Sequence, residues 1–60
     1  MKLKIGDLIM LSDSIYEPEI VEEWGIGIVR YSSPAYSTVS VFFSNKNLER
    51  VFHLKAVVKI

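Results

Sequence analysis

The stretch Ser37 to Ser44, "STVSVFFS", sets the tightest limit on how this chain can fold. Val39, Val41 and Phe43 alternate with Thr38 and Ser40, the period of a β-strand with one buried face. Phe42 breaks the pattern, because it sets a large aromatic ring on the face that should be polar. Val39 to Phe43 is also apolar and uncharged, the composition of a segment that pairs with other chains when left at an edge. A central strand is therefore expected, with something covering Phe42. The long acidic connection earlier in the chain is the expected cover, and another subunit is the alternative.

Further strands follow from similar cues. "DLIML", Asp7 to Leu11, is introduced by Gly6 and closed by the turn signature "SDS". Gly25 to Tyr31 is rich in Ile and Val and is closed by "SSPAYS". "SNKN", Ser44 to Asn47, reads as a tight hairpin turn, since Asn tolerates the positive φ that such turns require. Leu48 to His53 returns as a fourth strand, and Ala56 to Ile60 forms a short fifth. Between the first two strands lies the connection Ser12 to Trp24. Within it "PEIVEEWG" carries helix punctuation, with Pro18 at the first helical position and Gly25 just past the end. Ile20 and Trp24 are expected on one face of that turn, with Val21 beside them; an irregular loop is the competing reading.

Sixty residues make a single domain over 1–60, and so short a chain buries only about 60% of the surface its unfolded form exposes. There is no cysteine, so neither disulfides nor a Cys-based zinc site can add stability, and the lone His53 cannot hold a structural metal. Half of the residues are apolar, which argues against disorder. No apolar run approaches the ~20 residues of a membrane helix, and Asp7 interrupts the stretch where a signal peptide would be unbroken. A cytoplasmic protein is the expectation.

Net charge is zero but unevenly spread. After Lys2 and Lys4, six acidic residues from Asp7 to Glu23 precede Arg30; from there Arg30, Lys46, Arg50, Lys55 and Lys59 face only Glu49. A neutral total argues against nonspecific nucleic-acid affinity, which needs a cation for each phosphate contacted. A local basic face formed by Arg30, Lys46, Arg50 and Lys55 stays open as the alternative.

The string "VEEWGIGIVR" contains G-x-G-x-x-R, which invites a phosphate-loop reading. Such a loop needs a helix after its glycines, whereas Ile28 and Val29 continue as a strand, and Glu22 and Glu23 would repel phosphate. Gly27 instead lets the strand bend or lets a neighbouring side chain pack on bare backbone. Trp24, where acidic loop meets strand, is the foremost candidate contact residue; its alternative role is to plug one end of the core. Tyr16, Tyr31 and Tyr36 fall at loop or strand ends and could line a shallow groove. His53 has no nucleophile or orienting acid at a suggestive spacing, and the acidic run lacks the ligand spacing of a calcium loop.

Five short strands, a long first connection and a central hairpin form a known order. "KIGDLIML", "WGIGIV", "VSVFFSN" and "VFHLKAVVKI" together resemble the SH3-like barrels, in particular the KOW and Tudor-type branch and the small single-barrel proteins of bacteriophages. The resemblance covers nearly the whole chain. It implies an all-β fold, a small five-stranded SH3-like barrel with a long connection between the first two strands, and Leu54-Lys55 as a one-turn helix before the closing strand. The "ALYDY" cluster of proline-peptide-binding SH3 domains is absent, and Glu22 and Glu23 stand where an RNA-binding KOW domain is basic. The expectation is thus a noncatalytic protein-interaction module, as in a phage-type protein that binds a host factor or a particle component. Trp24, Tyr16, Tyr31, Tyr36, Phe42, Glu22 and Glu23 are the candidate contact residues. No cofactor, catalytic residue, metal or membrane is expected, and the chain should be a monomer or weak homo-oligomer.

Overall fold

The computed structural model describes residues 2–60 and contains one antiparallel sheet of five strands. They are β1 (Leu8–Leu11), β2 (Gly27–Ser33), β3 (Thr38–Phe43), β4 (Leu48–His53) and β5 (Val57–Lys59), in the spatial order β4-β3-β2-β1-β5. The first four strands follow one another as a meander, and the chain then returns to lay β5 along β1. β4 and β5 are the two edges, so the sheet is not closed.

The alternation in β3 sets the core. Val39, Val41 and Phe43 are fully buried, joined by Ile9 and Leu11 from β1, Val29 from β2 and Val57 from β5. Leu3 joins them from the segment before β1. Each such side chain contributes about 1.5–3 kcal/mol by leaving water. Because β3 pairs with β2 on one side and β4 on the other, its backbone N–H and C=O groups have no free edge.

Local chemistry fixes the connections. In the β3–β4 turn the Asn47 N–H donates to Ser44 O at 3.2 Å, and Asn47 takes the left-handed conformation at φ 52°. The expected hairpin therefore forms where the sequence put it. Before β5 a one-turn 3-10 helix, Leu54–Ala56, is capped by His53, whose Nδ1 accepts the Lys55 N–H at 3.1 Å. Its ends are tied back by Leu54 N–H donating to Ser37 O and Ser12 N–H donating to Ala56 O. A second 3-10 turn, Pro34–Tyr36, joins β2 to β3.

The long connection contains a true helix, α1 (Pro18–Trp24). Pro18 opens it, and Gly25 ends it at φ 66° with its N–H donating to Val21 O. Seven residues are too few for an isolated helix in water, so packing must hold α1 in place. Val21 and Trp24, three residues apart, supply that packing against the core, while Ile20 is exposed. Ile20 lies one turn before Trp24 on the same helix, as expected, but it is 38% exposed, and the contact with the core is made by Val21 and Trp24.

Two further differences from expectation concern the outer face. Trp24 packs on Phe43, not Phe42, so the acidic connection lies against the core side and leaves Phe42 uncovered by it. In β2 the register shifts between Val29 and Tyr31, a bulge that pairs Tyr31 with Ser40. Strict alternation would have turned Tyr31 inward with Val29; the extra residue Arg30 turns it out.

Candidate functional site

Two regions collect the candidate residues, one on each side of the sheet. On the core side four rings form a connected edge-to-face cluster. Trp24 meets Phe43 with centroids 5.1 Å apart and planes at 86°, and meets Phe52 at 6.4 Å. Phe52 also meets Phe43 at 5.7 Å and Tyr16 at 6.4 Å. Such pairs contribute about 0.5–1.5 kcal/mol each beyond the area they bury. The indole therefore faces inward and closes one end of the core.

Charge then locks this lid. Lys46, in the β3–β4 turn, forms an ion pair with Glu23 and holds its Nζ 5.7 Å from the centre of the Trp24 ring. Asn45 Nδ2 donates to the backbone oxygen of Glu23 at 3.4 Å. The C-terminal end of α1 is in this way fastened to the hairpin turn by three contacts between residues more than twenty positions apart. Gly25 stands beside Asn45, where a Cβ would collide with the amide. Glu22 stays exposed on α1 beside Glu23.

The opposite face of the sheet is apolar as well. Leu8, Ile28 and Phe42 occupy directly paired positions on β1, β2 and β3, with Glu49 of β4 ending the row. Together with Ile26, Gly27 and Ser44 they line one shallow groove. Leu8 is 47% exposed, Ile26 52% and Ile28 37%, and on the flank Val58 of β5 and Ile60 just after it are 50% and 62% exposed. At the β1–β5 flank Val21 of α1 lines a second shallow pocket with Met10, Val58 and Ile60. Gly27 forms the floor: a Cβ there would strike Val41 and come within 2.9 Å of Phe43 Cε1. The bare backbone is required by the packing underneath.

The remaining candidates are dispersed. Tyr16 is half-buried beside Phe52, whereas Tyr31 and Tyr36 are exposed, Tyr31 on the outer face and Tyr36 in the 3-10 turn before β3. Tyr16 is thus separated by the sheet from Tyr31, and the three rings do not share a groove. The four cations proposed for nucleic acid lie on four elements: Arg30 in the β2 bulge, Lys46 in the hairpin turn, Arg50 on β4 and Lys55 in the second 3-10 helix. Lys46 is already engaged by Glu23. His53 serves as a backbone cap.

Residue-by-residue reading singled out Phe42 but missed Leu8, Ile26, Ile28, Val58 and Ile60. A signal was present, because Leu8 to Leu11 and Ile26 to Val29 carry no polar side chain, and a strand without alternation has apolar side chains on both faces. No helix of the described chain is long and apolar enough to cross a membrane. Comparison with protein-family models, curated proteins and solved structures returns no match for this chain.

Proposed function

We propose that this chain is a noncatalytic SH3-like module that acts through protein contacts, and that its contact surface is the outer face built on Leu8, Ile26, Ile28 and Phe42. The barrel reading is supported by the strand order β4-β3-β2-β1-β5, the long connection between β1 and β2, and the one-turn helix before β5. The contact reading is carried by one observation: an uncharged apolar groove spans three adjacent strands, with Leu8, Ile26 and Ile28 exposed and Phe42 half-buried, and among the described residues no other segment lines it. Single exposed aliphatics are ordinary, but a contiguous patch of this kind marks an interaction surface.

The mechanism is burial of that face against a partner's apolar surface. Phe42, anchored at the centre of the row between Ile28 and Glu49, is the natural hot spot, because aromatic anchors in a desolvated centre carry most of an interface's energy. Trp24 is spent on the core and on Lys46, and plays a supporting role by closing one end of that core. A nucleic-acid role draws less support, given four cations on four elements and one of them paired.

The test is affinity capture from the native host with the wild-type chain and with Ile28→Asp, a substitution at a partly exposed position. Partners lost by Ile28→Asp at unchanged far-UV circular dichroism support the proposal. Capture that is indifferent to Ile28→Asp and lost on Arg50→Ala overturns it.

A further inference from the structure

Given that the outer face is the contact surface, on which this step rests, we infer that its occupant is a second copy of the same chain, packed face to face about a two-fold axis. The chemistry of the face narrows the choice. The centre of the groove, Leu8, Ile26, Ile28 and Phe42, holds no charged side chain, so an occupant presenting charge there would lose that charge's hydration without gaining a partner. A second copy presents the same four side chains and satisfies the requirement by construction. An isologous interface needs only that one patch be complementary to itself.

Electrostatics at long range permit the encounter. The chain carries no net charge, so two copies meet without mutual repulsion, unlike a strongly charged domain held monomeric by its own field. Geometry agrees. Two twisted sheets stack about 10 Å apart with strands crossing at roughly 30°, a spacing filled by aliphatic and aromatic side chains from the two inner faces. Leu8, Ile28 and Phe42 form one cross-strand row of that kind.

Area sets the strength. With Val58 and Ile60 on the flank, the exposed apolar surface is on the order of 500 Å² per chain, at the upper size that monomers carry. Pairing two copies would bury at most on the order of 1,000 Å², the lower limit for a specific interface. The dimer is therefore weak and concentration-dependent.

Sedimentation equilibrium of the purified full chain between about 10 μM and 1 mM tests this, with Leu8→Lys, Ile26→Lys and, as a control away from the face, Ile15→Lys. Monomer–dimer exchange in the wild type is expected, with the dissociation constant raised at least about tenfold by Leu8→Lys and by Ile26→Lys and unchanged by Ile15→Lys. Methyl NMR of the unmutated chain gives a readout independent of any variant's folding: shifts of Leu8, Ile26 and Ile28 should move with concentration while those of Ile15 stay fixed. A wild type that stays monomeric to 1 mM, a dimer untouched by either lysine, or concentration-dependent shifts confined to the β4 edge would each overturn the inference. A strict monomer whose captured partners are still lost on Ile28→Asp would overturn the second copy alone and leave the interaction module standing.

Discussion

Replacing Trp24 by alanine separates a core residue from a contact residue. A well-buried Trp→Ala typically costs about 3–5 kcal/mol. Trp24 is only partly buried, which lowers the figure, but it also gives up two edge-to-face pairs, with Phe43 and Phe52, and the cation contact with Lys46. Those contacts are worth about 0.5–1.5 kcal/mol per aromatic pair and ~0.5–1 kcal/mol for the cation. A net loss of about 3 kcal/mol follows. A chain of this size has roughly 3–9 kcal/mol in total, so the variant should lose a third of its stability or more. With a urea m value of about 1 kcal/mol/M for so small a domain, the midpoint should fall by about 3 M. Far-UV circular dichroism is the right probe, because the variant has no tryptophan left to fluoresce. Trp24→Phe should recover most of the loss by keeping a ring against Phe43. A midpoint within about 0.5 M of the wild type in Trp24→Ala would show that the indole does not close the core, and the reasoning from the ring cluster would fail.

Other substitutions probe single links. Gly27→Ala places a methyl group against Val41 and Phe43 and should cost about 1–3 kcal/mol by overpacking, measured by the same melt; no change would mean that the strand relaxes freely there. Asn47→Ala should cost about 1 kcal/mol and Asn47→Gly next to nothing, since the residue sits at φ 52°. A double-mutant cycle on Glu23 and Lys46 should give a coupling of no more than about 1 kcal/mol that shrinks in 1 M salt, because both carboxylate and ammonium are partly solvated.

The parts of this fold that were legible from sequence are those whose cause is local. Strict alternation announced β3, the asparagines of "SNKN" announced a turn that needs positive φ, and Pro18 and Gly25 bracketed α1. What escaped depends on contacts between distant residues. Ile20 and Val21 are equally apolar, and only the position of the sheet decides that Val21 packs while Ile20 stays in solvent. The Glu23–Lys46 pair joins residues that no spacing rule connects. The bulge at Arg30 cannot be read from "IVRYS", yet it decides which way Tyr31 points. Phe42 was legible as an anomaly, whereas its neighbours Leu8 and Ile28 were not, because their place beside it depends on strand register. The apolar runs Leu8 to Leu11 and Ile26 to Val29 carried the hint that both faces of the sheet are apolar.

The sheet has two apolar faces with different duties, a sealed one against which Trp24 packs and an open one holding Leu8, Ile26 and Ile28. A soluble paramagnetic gadolinium chelate, added to dilute methyl-labelled protein, measures this directly through the broadening of each side chain's resonance. The Leu8, Ile26 and Ile28 methyls should broaden strongly at low protein concentration while those of Ile9, Val29, Val39 and Val41 stay sharp. Outer-face methyls as well shielded in the dilute monomer as those of Val41 would contradict it.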